Sequence, residues 1–138
     1  QDLADKVVAV QSTTKPEELF LNAEQNGLPR LRRLYSLQNR DLVYTTLIKG
    51  YADALAAHES AIQQFMKDYS VEYRILDEPL MTARLGVAFA KNRSDDLPQQ
   101  LSEVFQEMLA DGTVRQIVSR YLDDPGHYLD GLEDSTHA

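Results

Sequence analysis

Three hydroxyl side chains stand together at Ser12, Thr13 and Thr14, between an apolar run and a proline. The apolar run, 7–10, has the short β-branched character of a buried strand, and Pro16 is typical of the first turn of a helix. Hydroxyl groups at such a turn, beside the unpaired N–H groups of the helix, can bind an anionic ligand. The alternative is structural, because Thr14 is also a common type of helix cap. The residue types leave both interpretations open.

Catalytic chemistry has little support in the sequence. It needs a nucleophile with a base, paired carboxylates or a metal-binding cluster, yet the chain has no cysteine and three histidines. The histidines are scattered, at 58, 127 and 137. Two carboxylate pairs, 77–78 and 95–96, fall in predicted loops, where they are read as solvated turns or caps. We therefore predict a protein that is not an enzyme and has no catalytic residues, metal site or cofactor.

The composition is that of an acidic globular domain. The 138 residues include 22 Asp and Glu against 14 Lys and Arg, which gives a formal net charge of -8. Such a surface repels phosphate backbones and disfavours nucleic acid as a partner. No apolar run approaches the roughly 20 residues that a membrane-spanning helix needs.

Strand and helix signals alternate along the first half of the chain. Short apolar runs predict strands, and amphipathic spacing between them predicts helices. The predicted strands are 7–11, 31–35, 52–57 and 71–76, and the predicted helices are 16–25, 39–49 and 60–69. This alternation predicts the α/β fold class, with a mainly parallel sheet and helices on both faces.

In the second half of the chain, strands and helices no longer alternate. Residues 85–91 (LGVAFAK) predict another strand, and two helices follow it directly. The first helix, 97–109, has apolar residues at offsets of four, three, one, three and one, which is an amphipathic stripe. The second, 114–122, ends at the helix-breaking sequence DDPG. From His127 onward the chain is a polar tail.

Four motifs in order give the chain its resemblance to a known family. Residues 2–11, with the hydroxyl triplet after them, resemble the opening of the second lobe of bacterial extracellular solute-binding proteins of family 3. That family binds polar amino acids and has the type II periplasmic binding protein fold. Residues 50–54 (GYADA) are similar to its G-R-x-D-A motif, and 86–91 resemble its returning strand. Residues 97–122, with MLADGT in the middle, resemble its closing pair of helices.

The resemblance implies one lobe of a two-lobed receptor in the periplasm or another extracytoplasmic space. Residues 1–84 correspond to the second lobe, 85–122 to a returning strand and two helices that normally join the first lobe, and 123–138 to a polar tail. In the family, the two lobes close around a small polar or anionic, amino-acid-like solute. Such receptors serve a membrane transporter of the ABC type or act as the sensor of a signalling protein such as a sensor kinase.

The family's solute contacts can be carried over to five residues. Its hydroxyls at the strand-to-helix turn hold a solute carboxylate; these contacts fall on Thr13 and Thr14, and Ser12 stands where glycine is usual. His58 stands where amino-acid binders carry the Asp or Glu that pairs with the ammonium group. Because an imidazole replaces a carboxylate poorly, either Glu59 takes this role or the solute is not an ordinary α-amino acid. The structural alternative is that His58 or Glu59 starts the next helix at the surface.

Two rival functions stay open beside solute binding. Some relatives with this fold are periplasmic dehydratases, although no residue of this chain supports that chemistry. The second rival is a self-associating interaction domain, since the apolar stripes of the last two helices lack the first lobe as a partner. The apolar residues concerned are Leu101, Phe105, Met108, Ile117 and Tyr121.

Overall fold

A computed structural model describes residues 2–129 and residue 132 of the chain. The chain forms two compact units, Gln1–Thr82 and Ala83–Ala138. The first unit contains β1 (Val7–Gln11), α1 (Lys15–Leu21), β2 (Arg33–Leu37), α2 (Arg40–Ile48), β3 (Ala54–Ala56) and α3 (Glu59–Tyr69). The second unit contains α4 (Leu97–Ala110), α5 (Thr113–Val118) and α6 (Pro125–Leu129).

The three strands form one parallel sheet in the order β2-β1-β3. β1 is central, so that Val10 pairs with Ser36 of β2 on one side and with Ala56 of β3 on the other. Four of the five β1 residues are buried. A strand covered on both faces needs apolar side chains on both, which explains the continuous run of valine and alanine.

Helices cover both faces of the sheet, because successive β1 side chains point to opposite sides. Val10 packs against Phe20 of α1 on one face. Ala9 packs with Val43 of α2 on the other face. The predicted fold class, a mainly parallel α/β sheet with helices on both faces, is therefore confirmed.

An aromatic cluster places α3 beside α2. The Phe65 ring stacks on Tyr44, with 4.2 Å between the ring centroids, and Tyr69 packs against both rings. The Tyr44 hydroxyl donates to the carbonyl of Ala61 at 3.3 Å, and burial raises the pKa of Tyr44. As a result, α2 and α3 share one face of the sheet and α1 lies on the other.

Two of the predicted strands are not formed. Residues 71–76 and 85–91, all within the described part of the chain, have no strand. Leu85 and Val87 are 95% and 70% exposed. Their side-chain pattern suits a strand, but a strand also needs a neighbour for its N–H and C=O groups. Among residues 2–129 and 132 no strand pairs with either segment, so both predictions are wrong.

α1 is also shorter than the predicted helix 16–25. Its last residue is Leu21. The side-chain amide of Asn26 donates to the carbonyls of Leu19 and Asn22, at 3.1 and 2.9 Å. These local bonds satisfy the last carbonyls in place of further helical turns.

In the second unit, which we call the helical unit, a small core joins α4, α5 and α6. Leu109 of α4, Val114 of α5 and Leu129 of α6 are buried together. Gly112 links α4 to α5 with φ +81°, a backbone conformation that glycine adopts without strain. The short helix α6 lies within the predicted polar tail, where Leu129 supplies an apolar anchor; residues 130–131 and 133–138 of that tail lie outside the described residues.

Candidate functional site

The five predicted contact residues follow the carboxyl ends of two adjacent strands. β1 and β3 are parallel neighbours, and Val10 of β1 pairs with Ala56 of β3. Two residues further along their strands, the chain reaches Ser12 and His58, respectively. We call residues 12–14 and 58–59 the carboxyl edge. The structure thus brings both predicted segments to the same edge of one sheet.

The carboxyl edge lies at a topological switch point. From β1 the chain runs into α1 on one face of the sheet, and from β3 it runs into α3 on the other face. The two connections therefore leave the sheet toward opposite faces. In open α/β sheets, ligands bind in the crevice at such a switch point, outside the carboxyl ends of the strands. The five residues lie at this end of the sheet, after the carboxyl ends of β1 and β3.

The hydroxyl groups at the β1–α1 turn donate within the turn. The Thr13 hydroxyl donates to the Ser12 carbonyl at 2.6 Å, and the Thr14 hydroxyl donates to the Gln11 carbonyl, also at 2.6 Å. Thr14 does hold the N-cap position of α1, but its side chain makes no capping hydrogen bond. The structural alternative is therefore confirmed in position, since Thr14 is the N-cap residue, but its hydroxyl does not supply the capping bond. Both hydroxyl oxygens keep lone pairs with which they can accept hydrogen bonds.

The left-handed residue of the turn is Thr13 and not Ser12. Thr13 has φ +60°, and Ser12 is outside the positive-φ region. A β-branched residue is seldom found in this conformation, which costs on the order of 1–2 kcal/mol. Ser12 therefore fills the position expected for glycine without strain of its own, because the tight turn is displaced by one residue.

A carboxylate of the chain itself holds this strained turn. The Thr13 N–H donates to Glu17 Oε2 at 2.6 Å, and the Ser36 hydroxyl of β2 donates to Glu17 Oε1. These bonds, first the one from Ser36 and then the one from Thr13, hold the pKa of Glu17 below its usual value. Glu17 thus ties α1 to the turn and to the neighbouring strand as an ionised group.

Sequence reasoning missed this role of Glu17, although a signal for it was present. Thr14 and Glu17 have the T-x-x-E spacing of a capping box, in which the glutamate reaches back to a backbone N–H before the helix. Here the carboxylate reaches the N–H one residue earlier, at Thr13. The Ser36 contact had no such signal, since 19 residues separate it from Glu17.

The second half of the carboxyl edge begins α3. His58 is the N-cap residue in an extended conformation, with no side-chain capping bond, and Glu59 is the first helical residue. The His58 side chain is exposed to solvent. Glu59 accepts a hydrogen bond from Gln63 Nε2 at 3.2 Å. The structural alternative for these two residues, the start of a helix at the surface, is confirmed. The exposed His58 imidazole and the half-buried Glu59 carboxylate lie beyond the carboxyl end of β3.

Asp53, within the GYADA motif, has a structural role at the opposite edge of the sheet. Its carboxylate accepts the N–H of Val7 at 2.8 Å, where β1 begins. The same oxygen lies 3.5 Å from the guanidinium of Arg32. Asp53 therefore secures the start of the central strand and takes no part in the carboxyl edge.

Within residues 2–129 and 132, no group of three or more His, Asp or Glu is arranged to hold a metal ion. Over the same residues, no helix is both long and apolar enough to span a membrane.

A parallel α/β sheet with helices on both faces is consistent with one lobe of a periplasmic binding protein. No protein-family model matches the chain. The chain is similar to the histidine-binding periplasmic proteins of Salmonella typhimurium and Escherichia coli K12. With each of these it is 31% identical over 125 residues, which cover 86% of this chain and 46% of the relative. The chain thus spans about half the length of the curated relatives it matches.

Proposed function

We propose that this chain is the solute-contacting lobe of a family 3 extracellular solute-binding protein that works in the periplasm or another extracytoplasmic space. The observation that carries the proposal is the carboxyl edge. It places the hydroxyl triplet and the His58–Glu59 pair at one switch point, as expected for a ligand site. The similarity to histidine-binding periplasmic proteins supports an amino-acid-like solute.

The geometry of the turn indicates how a polar solute would bind. Thr13 and Thr14 already donate their hydroxyl protons to backbone carbonyls, so their oxygens are available as acceptors for N–H groups of the solute. The Thr13 N–H is engaged by Glu17. A solute carboxylate that took this N–H would have to replace Glu17 there, whereas Ser12 could donate to it from the adjacent position.

His58 and Glu59 would complete the contacts from the β3 side. The His58 imidazole is exposed and can donate or accept a hydrogen bond. Glu59 begins α3 and carries the negative charge that an ammonium group requires. An amino-acid-like solute would therefore lie with its polar groups divided between the two strand ends.

Closure over the solute would come from a second lobe, as in the family that the motifs resemble. In this proposal the helices α4 and α5 correspond to those that join that lobe, and the receptor delivers its solute to a membrane transporter or signals through a sensor kinase. The chain spans 46% of the relatives, which leaves a lobe of similar size to be supplied. A single lobe makes only part of the contacts, so we expect binding by the 138-residue chain to be weak, in the millimolar range.

Calorimetric titration with L-histidine tests the proposal through matched threonine variants. Thr14→Val keeps the shape of the side chain and removes its hydroxyl, and we expect it to cost about 1–3 kcal/mol of binding, or roughly 5–150-fold in affinity. Thr45→Val is the control, because the Thr45 hydroxyl also donates to a nearby backbone carbonyl, that of Asp41 at 2.7 Å, but within α2. Equal affinities of the two variants would contradict a solute contact at Thr14.

A further inference from the structure

The two threonine hydroxyls of the β1–α1 turn act toward a solute as acceptors. The Thr13 hydroxyl gives its proton to the Ser12 carbonyl at 2.6 Å. The Thr14 hydroxyl gives its proton to the Gln11 carbonyl, also at 2.6 Å. A hydroxyl group has one proton, whereas its oxygen keeps two lone pairs. While these bonds hold, the two side chains offer a solute acceptor oxygens and no donor.

The backbone donor of the same turn is held by Glu17. The Thr13 N–H donates to Glu17 Oε2 at 2.6 Å, and the Ser36 hydroxyl donates to the other oxygen, Oε1. Bonds to an ionised carboxylate are about twice as strong as those between neutral groups. A solute carboxylate has to break such a bond and then lie beside a second carboxylate. An ammonium group leaves both bonds intact and is attracted to Glu17, which is only partly buried.

The charges around the carboxyl edge have the same sign. Within residues 11–18 and 57–60, the charged side chains are those of Lys15, Glu17, Glu18 and Glu59. Three are carboxylates, and Lys15 Nζ already lies 2.6 Å from Glu18 Oε1. The two segments follow neighbouring strands, which lie about 4.8 Å apart. A solute at the strand ends therefore meets a net negative charge, which attracts a cation and repels an anion.

The start of α1 adds little to the binding of an anion. The helix has seven residues, and Pro16 in its first turn has no N–H. The Ser12 hydroxyl can donate to a solute carboxylate, but it has no charge to offset the carboxylates nearby. The turn is thus better suited to a solute that donates hydrogen bonds than to one that accepts them.

We infer that the carboxyl edge selects a cationic solute, an organic amine without a free carboxylate, and that Glu17 sets this preference by keeping the Thr13 N–H occupied. The inference rests on the proposed function and narrows its amino-acid-like solute to one chemical class. The ammonium group of the solute donates to the hydroxyl oxygens of Thr13 and Thr14. The carboxylates of Glu17 and Glu59 balance its charge.

Three compounds with the same imidazole and different charged groups test the preference. Histamine carries only the ammonium group, L-histidine carries the ammonium and the carboxylate, and 3-(imidazol-4-yl)propionate carries only the carboxylate. Each would be titrated into the ¹⁵N-labelled chain, with the amide shifts of residues 11–15 and 57–60 as the readout. We expect histamine to bind about 10-fold more tightly than L-histidine and the propionate to bind most weakly.

The outcomes separate this inference from the proposed function. L-histidine that shifts these amides and binds as tightly as histamine, or more tightly, would overturn the inference and leave the proposed function standing. Amides of the carboxyl edge that respond to none of the three compounds would contradict the proposed function, and the inference with it.

Glu17→Gln tests the role of the carboxylate itself. The variant keeps the shape of the side chain and removes its charge, so L-histidine should bind about 5-fold more tightly and histamine about 3-fold more weakly. A purely structural role would change both affinities by the same factor, because their ratio does not depend on the folded fraction. Glu24→Gln is the control, since it removes the same charge beyond the other end of α1. Its ratio should stay that of wild type, and an equally unchanged ratio in Glu17→Gln would overturn the role of Glu17.

Discussion

The aromatic cluster that positions α3 can be tested by truncation of Phe65. Phe65 is 2% exposed and lies at the centre of the cluster, with ring centroids 4.2 Å from Tyr44, 5.3 Å from Tyr69 and 6.0 Å from Tyr73. Phe65→Ala removes these contacts and leaves a cavity, a change that costs about 3–5 kcal/mol of the free energy of unfolding. Because Tyr69 and Tyr73 are partly exposed and can move inward, we expect the lower value, about 3 kcal/mol.

Urea unfolding followed by far-UV circular dichroism measures this loss. With a slope of about 1–1.5 kcal/mol per molar urea, Phe65→Ala should lower the midpoint by about 2–3 M. Phe65→Leu, which keeps most of the volume, should cost about 1 kcal/mol. Leu21→Ala, at an exposed position of α1, should stay within about 0.5 kcal/mol of wild type. A loss below 1 kcal/mol for Phe65→Ala would show that the cluster does not hold α3 against α2.

Three further substitutions test individual contacts by the same urea assay. Because the folded-state pKa of Glu17 is lowered, its stabilising effect is complete above the ordinary value of 4.5 and is lost as the pH falls through the folded-state pKa. Glu17→Gln should therefore have a lower midpoint than wild type at pH 7, and that difference should shrink as the pH falls below 4.5; a difference independent of pH would contradict this. Asp53→Ala leaves the N–H of Val7 without its acceptor and should cost about 1–2 kcal/mol, whereas an unchanged midpoint would show that this bond is replaced. Gly112→Ala meets no atom within 4 Å but has to adopt φ +81°, so we expect a loss of about 1 kcal/mol from backbone strain alone, and no loss would refute it.

The order of strands and helices in the first unit could be predicted because burial leaves a local pattern. β1 is enclosed on both faces, and its unbroken run of valine and alanine shows this directly. α2 has a side-chain cap, in which Asn39 accepts the N–H of Asp41 at 2.8 Å, and its C-terminal end is followed by Gly50. Such signals lie within a few residues of the structure they specify.

The two predicted strands that are not formed would each need a neighbouring strand, and the sequence of one segment does not show whether it has such a neighbour. Residues 85–91 have a strand-like sequence, yet no strand in the described part of the chain pairs with them, and Leu85 and Val87 stay exposed. Strand formation is a property of two segments, and one segment alone cannot guarantee it. The predicted end of α1, at residue 25, was wrong for a different reason. The side chain of Asn26 bonds to the helix carbonyls and takes the place of further helical turns.

At the candidate site, the positions could be predicted but the bonding could not. The hydroxyl triplet was found because it follows an apolar run that became a strand, and His58 was found through the resemblance to the solute-binding family. The left-handed conformation of Thr13 and its bond to Glu17 were not predicted, because glycine is the usual signal for such a turn and Thr13 gives none. The contact between Glu17 and Ser36 depends on two elements 19 residues apart, which only the folded sheet brings together.

The central claim, that a solute binds at the carboxyl edge, is tested most directly by residue-resolved NMR. The amide signals of the ¹⁵N-labelled 138-residue chain would be followed during titration with L-histidine. We predict saturable shifts confined to residues 11–15 and 57–60, with the Thr13 amide among the largest because a bound carboxylate would exchange with Glu17 at its N–H. Shifts that are absent, or that spread over the helical unit and spare both segments, would contradict the account.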